Sequence, residues 1–285
     1  MGSFHPFQPA YVADPYPYLA RLRATDPVHY SADMQGWVLT RYRDCERVLA
    51  DPETFSSDPT CQAGAFGEFV RDARASAALG AVPILANSDA PEHGRLRAPV
   101  LGAFSPNQVQ PRRESLAEAV GDLLEPLECG RPGDLVQILA EPLPLIALLE
   151  YIGVPVESRD LFRACVASIM SARMAGESER DPRRGTSHQA AEALRYLLRE
   201  SPAESPILSR LREAVDAGAI SEDEMLMLVV HIATAGNAAT AFAIGSGLLT
   251  LARHPEAWTD LRADPSLVPG VVVETLRYDS PTHMI

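Results

Sequence analysis

The sequence predicts a mostly helical fold with a small β-element near the amino terminus. Apolar residues recur with helical spacing along most of the chain, and prolines repeatedly stand where such segments begin. Only the stretches "DPVHY" and "GWVLTRY" alternate or carry β-forming residues, which predicts one short hairpin. With 285 residues the chain can bury a sizeable core, and we expect a single domain over residues 1–285.

Composition excludes several functional classes. The net charge is −13, so the chain repels phosphate backbones and anionic lipid, and we expect neither nucleic acid nor a membrane as a partner. The four cysteines show no CxxC spacing and are expected to be reduced thiols of a cytoplasmic protein: Cys45, Cys61, Cys129 and Cys165. The amino terminus has neither the basic region nor the apolar region of a signal peptide.

Helical segments account for most of the chain after the hairpin. Residues 56–92 are rich in Gly, Ala, Ser and Pro, and are predicted to form a long loop with one helical piece. The polar stretch 175–187 is expected to be mobile. Pro142 and Pro144 should bend or split an apolar helix. Helices are predicted over 14–25, 43–52, 88–104, 106–127, 133–155, 158–174, 187–201, 225–252, 254–265 and 265–279, and a short helix followed by a turn over 205–224.

One predicted helix is unusually apolar. Residues 225–252 contain no formally charged side chain and are long enough to span a bilayer. They nevertheless include His231 and Asn237, and their flanks show no positive-inside bias. Ser221 and Glu224 have the spacing of a capping box at the start of the helix. The pattern favours a helix buried through the middle of a globular protein.

Three short stretches could carry chemistry. His93 and Arg97 share one helix face and could clamp an anion such as a carboxylate, although a solvated basic face is the simpler explanation. Glu274 and Arg277 can pair at i, i+3, which contributes little when the pair is exposed. The third stretch, "ATAGNAATA", removes bulk from the middle of the long helix. Its small residues would admit either a flat ligand or a closely packed helix, and its spacing does not separate the two.

Taken together and in this order, these stretches resemble a bacterial cytochrome P-450, a haem-thiolate monooxygenase. "SDAPEHGRLRAPVLGAFSP" is similar to the family helix whose HxxxR motif binds the haem propionates, which implies that role for His93 and Arg97. "AGNAATAFAIGSGLL" is similar to the family's haem-facing helix, which places Ala235 and Gly236 beside the cofactor. Glu274 and Arg277 match the structural ExxR motif. The resemblance implies a small organic substrate, haem and a redox partner.

The chain departs from the family pattern at the haem iron. The resemblance implies an axial cysteine well beyond the ExxR motif, whereas the last cysteine here is Cys165. His283 could in principle ligate iron, but a lone histidine near a chain end is expected to be inert. No metal site is therefore predicted, and stable haem binding by this chain is not expected.

The chain also departs from the pattern at the family's oxygen-activation positions. The acid is replaced by Ala238 and the threonine by Ala239, with Thr240 adjacent. Neither alanine can relay a proton, so no intact catalytic set is predicted.

Three interpretations follow from these departures. The first is a C-terminally incomplete form of an enzyme that oxidises a small, natural-product-like molecule, inactive by itself as an oxygenase. The second is a haem-free helper that binds and activates a glycosyltransferase, and the third is one half of a split protein. The first and third imply that the hairpin lacks sheet partners and that the last helices expose apolar faces. A protein partner, either a redox protein, a glycosyltransferase or a complementing chain, could cover that surface.

Overall fold

The computed structural model describes residues 4–128, 130–175, 185–202 and 205–284. Cys129 and most of the polar stretch 175–187 lie outside these ranges. The chain divides into two compact units, residues 1–57 with 283–285, and residues 58–282. The expectation of one domain over the whole chain remains a prediction.

The first unit contains three helices and the hairpin. Strands β1 (Val28–Ser31) and β2 (Gly36–Leu39) are antiparallel, and Val28 pairs with Leu39. These are the only paired strands among the described residues, and the expected hairpin is confirmed. The helices of this unit are α1 (Pro9–Ala13), α2 (Tyr16–Thr25) and α3 (Tyr42–Leu49).

Among its described residues, the second unit consists of helices and the loops that connect them, without β-strands. Its helices are α4 (Ala65–Ser76), α5 (Glu92–Leu101), α6 (Pro106–Val109), α7 (Arg113–Glu128), α8 (Pro142–Ile152), α9 (Arg159–Ala175), α10 (Thr186–Glu200), α11 (Leu208–Asp216), α12 (Glu222–Arg253), α13 (Pro255–Ala263) and α14 (Val268–Tyr278). The mostly helical fold class with a small β-element is confirmed.

Proline decides where several of these helices begin. The predicted helix 133–155 becomes a π-helical turn, Val136–Ala140, followed by α8 with Pro142 in its first turn. The predicted helix 106–127 is likewise interrupted, by a 3₁₀ turn at Gln110–Arg112. Proline fits the first turn because the amide hydrogen that it lacks would have no partner within the helix there.

The first half of α12 is the centre of the core. Ser221 and Glu224 form the predicted capping box, with the Glu224 carboxylate 2.7 Å from the Ser221 amide nitrogen. The buried residues that follow pack with side chains of α8, α9, α10 and α11. α12 is also the one helix in the described ranges that is apolar and long enough to cross a membrane. Only 39% of its most apolar 18-residue segment is buried. The prediction that it is a core helix therefore holds for its first half: Leu226, Met227, Leu228, Val229, Val230, Ile232 and Ala233.

Candidate functional site

The predicted anion clamp lies on α5. His93 is half-buried and Arg97 is exposed, one helical turn apart. Among the described residues, neither side chain makes a hydrogen bond or an ion pair. Both therefore remain available to an anion, which is what a propionate-binding role requires of them.

Arg95 lies between these two residues and has a different role. Its guanidinium donates to the carboxylates of Glu92 and Glu224 and, at 2.8 Å, to the carbonyl of Ala219. The hydrogen bonds that Arg95 donates to Glu224 and then to Glu92 raise the pKa of Arg95, and the bond to Glu224 lowers the pKa of that carboxyl group. Arg95 thus joins α5 to the first turn of α12. Local sequence patterns do not predict this contact, because Glu224 is 129 positions away along the chain.

The small residues of α12 do not all face the same way. Ala235 and Ala238 are exposed, whereas Gly236 faces α8. A Cβ atom at position 236 would lie 3.0 Å from Cδ2 of Leu148, which explains the glycine by close helix packing. The assignment of Ala235 and Gly236 to a cofactor-facing surface remains a prediction, and only Ala235 has open space around it.

A cleft of about 200 Å³ separates α9 from α12. Its walls are mainly apolar, and Ala238 borders it. Asn237 also lines it, and the Oδ1 atom of Asn237 is buried without a hydrogen-bond partner among the described residues. The hydroxyl of Thr234 is already committed to the carbonyl of Val230 at 2.8 Å. The carbonyl oxygen of Asn237 is thus a hydrogen-bond acceptor that the fold has not satisfied.

Ala239 and Thr240 line a different cavity from the one that Ala238 borders. Both belong to a groove of about 790 Å³ between α12, α13 and α14. Thr240 is two residues beyond Ala238, about 200° around the helix axis, so the two face opposite sides of α12. The hydroxyl of Thr240 therefore does not replace the side chain that is missing at position 238.

The walls of this groove are almost entirely apolar and well exposed. Trp258 and Leu276 each expose 46% of their surface, and Val272 exposes 54%. The expectation that the last helices expose apolar faces is confirmed. The Glu274 carboxylate accepts from Nε of Arg277 at 2.7 Å, so the predicted pair forms. Each side chain of this pair is more than half exposed.

The described residues offer ligands for the propionate edge of a haem but no evident ligand for its iron. His93 and Arg97 provide two uncommitted donors for the propionates. By contrast, no described cysteine lies on α5 or α12: Cys45 is on α3, Cys61 is in an exposed 3₁₀ turn, and Cys165 is on α9. Burial raises the pKa of the Cys165 thiol, which disfavours the thiolate.

The ring of His283 lies against Tyr16, with the two ring centroids 6.1 Å apart. Within the described ranges, no group of three or more His, Cys, Asp or Glu side chains could hold a metal ion.

Comparison with known proteins identifies the fold and the family. No protein-family profile matches the chain. Cytochrome P450 107B1 of Saccharopolyspora erythraea is 32% identical over 284 residues, which cover 96% of this chain and 68% of that protein. Vitamin D(3) 25-hydroxylase of Pseudonocardia autotrophica is 31% identical, over 96% of this chain and 67% of that protein.

A solved structure gives the same result in three dimensions. The crystal structure of epothilone D-bound cytochrome P450epoK superimposes with a TM-score of 0.85 at 28% identity, covering 98% of this chain and 71% of that one. The chain thus spans about two thirds of the length of each of these relatives. From the uncommitted HxxxR donors, the paired ExxR residues and these relatives together, we conclude that the chain belongs to the cytochrome P450 family.

Proposed function

We propose that the fold serves the oxidation of a small, largely apolar organic molecule of the natural-product type. The observation that carries the proposal is the cleft between α9 and α12. Its mainly apolar walls, with the exposed Arg163 at their border, and the unsatisfied acceptor of Asn237 suit a ligand that is mostly hydrocarbon with one O–H or N–H group. Relatives named as a vitamin D(3) hydroxylase and as an epothilone-bound P450 are consistent with such a ligand.

The roles of the residues follow from their placement. His93 and Arg97 would bind the haem propionates through charge-assisted hydrogen bonds. Haem, when bound in this family, supplies the iron at which oxygen is activated. By rotating its side chain, Asn237 would turn its buried Oδ1 atom toward the cleft, accept a hydrogen bond from the ligand and so orient it along α12. Burial lowers the pKa of His231, which favours the neutral ring.

We further propose that residues 1–285 alone do not form an active oxygenase. Alanine at positions 238 and 239 leaves no side chain there to hold or pass a proton. None of Cys45, Cys61 and Cys165 belongs to α5 or α12, the helices that the family resemblance assigns to the haem, so we expect none of the three to be the thiolate ligand.

A spectroscopic experiment tests this proposal. The purified chain is mixed with haemin, reduced and exposed to carbon monoxide. We expect no thiolate-type Soret band. A clear band of that type would contradict the proposal, and single Cys→Ser variants at positions 45, 61, 129 and 165 would then identify the ligand.

The substrate part of the proposal is tested by a matched pair of probes. Indole and 1-methylindole differ by one N–H donor and have similar size. We expect indole to bind more tightly to the wild-type chain, and Asn237→Leu to abolish that difference. Asn237→Asp, which keeps an acceptor oxygen, is the control. Equal binding of both probes by the wild type, or binding of neither, would refute the role of Asn237.

The exposed groove favours a second candidate function, a haem-free helper that activates a glycosyltransferase. An apolar surface of this size often marks a protein interface. Mixing the chain with a purified candidate glycosyltransferase should then raise the kcat of that enzyme. The charged variant Val272→Asp should abolish the effect, while Val156→Asp, at a similarly exposed valine outside the groove, should not. No change in kcat with the wild-type chain would count against this function.

A further inference from the structure

A buried arginine connects two distant parts of the second unit. Arg173 lies at the end of α9 and is only 4% exposed. Its Nη1 atom donates to the carbonyls of Leu79 at 2.7 Å and Gly80 at 3.1 Å, and its Nη2 atom donates to the carbonyl of Val82 at 2.7 Å. We call residues 77–82, which follow α4, the strap. One guanidinium thus holds three carbonyls of the strap.

A second contact fixes the strap to α10. The amide of Ala78 donates to the hydroxyl oxygen of Ser187 at 3.1 Å, and Ser187 is fully buried in the first turn of α10. Ala78 itself is 3% exposed. The strap is therefore attached at one point to the end of α9 and at another to the start of α10.

The strap holds a conformation that its sequence does not favour. Leu79 has a φ angle of +55°, in the left-handed region that costs a leucine conformational energy. At Gly80 a Cβ atom would lie 1.6 Å from the carbonyl oxygen of Arg74, so only glycine fits. Such a backbone persists only where its surroundings hold it, and the carbonyl of Leu79 is one of the three held by Arg173.

Burying the charged guanidinium of Arg173 costs free energy, and this cost indicates that the contact does more than fill the core. Burial, and then repulsion from Arg74, lower the pKa of Arg173 to about 10, while Asp58 opposes the shift. The guanidinium remains charged at neutral pH, and the strap carbonyls supply much of its solvation. A structural role in the core alone could be filled by an apolar residue at no such cost.

Arg173 also lies next to the proposed substrate cleft. Phe162, Val166 and Met170 form the α9 wall of that cleft, and Met170 is one helical turn before Arg173. We propose that Arg173 is a positioning residue that locks the strap to α9, so that the strap and the α9 wall of the cleft move as one unit. Its relevance to substrate rests on the proposed function, whereas the coupling between strap and α9 does not.

Hydrogen exchange of the wild-type chain and an Arg173→Met variant tests the coupling. The amides of Gly80 and Val82 are hydrogen-bonded within the strap, to the carbonyls of Ala77 and Leu79. In Arg173→Met we expect these amides and those of the last turn of α9 to exchange at least about tenfold faster, together. Amides in the buried first half of α12 should not change.

Arg212→Met is the matched control. Arg212 also donates to two carbonyls, of Leu198 at 2.6 Å and Ser201 at 3.0 Å, but these do not belong to the strap. This variant should leave strap exchange unaltered. Leu79→Gly removes the left-handed strain and should restore part of the strap protection in the Arg173→Met background.

Three results would overturn the proposal. These are unchanged strap exchange in Arg173→Met, faster exchange in the strap without α9, and a uniform increase that includes α12. If Arg173→Met does not fold, Ser187→Ala is the milder test, and it should speed exchange at Ala78 and the rest of the strap. A failed haemin or indole experiment would refute the proposed function and leave the exchange result standing, so the two failures are distinguishable.

Discussion

The two halves of α12 have similar apolar composition and opposite environments. The first half is enclosed by α8, α9, α10 and α11, and Leu226 and Val230 have no exposed surface. The second half borders the open groove with α13 and α14. On the remaining surface of this half, Phe242 exposes 61% and Leu249 exposes 48% of its surface. Apolar composition along one helix therefore does not determine burial. Burial depends on the neighbouring helices. We therefore expect the enclosed first half to contribute mainly to stability and the open second half mainly to binding.

The largest expected effect is the difference between matched leucines in the two halves. Leu226→Ala removes a side chain with no exposed surface and should lower the free energy of unfolding by about 2–5 kcal/mol. Leu249→Ala, in the exposed half, should cost less than about 1 kcal/mol. Urea unfolding followed by circular dichroism measures both. Similar losses at the two positions would mean that the second half of α12 is covered in solution.

Next in size is the contact that anchors the start of the buried half. Glu224→Gln weakens the bonds from Arg95 and should cost about 1–2 kcal/mol at neutral pH. Since Arg95 lowers the pKa of Glu224, the stabilisation is complete above the ordinary value near 4.5. It is lost as pH falls through the depressed folded-state pKa.

Acid titration of stability checks this sign. The wild-type chain should lose more stability than Glu224→Gln as the pH falls below about 4.5. Glu92→Gln is the control, because Glu92 contacts the same guanidinium from within α5 and does not reach α12. Parallel pH curves for the wild type and Glu224→Gln would show that this contact does not anchor α12.

A smaller effect compares two glycines of α12. A Cβ atom at Gly245 would meet nothing within 4 Å, so Gly245→Ala should stabilise the chain by about 0.5–1 kcal/mol through helix propensity. At Gly236 the same methyl group would press on Leu148, so Gly236→Ala should gain less than Gly245→Ala or lose stability. Thermal unfolding ranks the two variants. An equal gain at both positions would contradict the close packing between α12 and α8.

The smallest effect is expected at the ExxR pair. Glu274 and Arg277 bond to each other while remaining exposed, so screening by water removes most of the benefit. Arg277→Ala should leave the Tm of the chain unchanged within error. A clear drop in Tm would show that something covers the pair in solution. The second half of α12 would then be more buried than the structure shows, and more like the first half.

The predictions that the structure confirms are mostly those that rest on local signals. The capping box of Ser221 and Glu224, the hairpin, the proline-led helix starts and the Glu274–Arg277 pair all depend on residues a few positions apart. The family could also be predicted from the sequence, because His93 and Arg97 precede the small-residue helix and Glu274 and Arg277 follow it, in the order typical of the family. The roles of the haem-side residues, the absence of a catalytic set and the cytoplasmic location remain predictions.

The amino-acid sequence by itself determined the helical fold class, the cytochrome P450 family and the alanines at positions 238 and 239, because each is a matter of local pattern. Only the tertiary structure decided which face of α12 is closed, that Gly236 meets Leu148 and that Asn237 has an unsatisfied oxygen. It alone also brought Arg95 to Glu224 and Arg173 to the strap. These contacts join residues about a hundred positions apart, and no periodicity in the sequence encodes a partner at that distance.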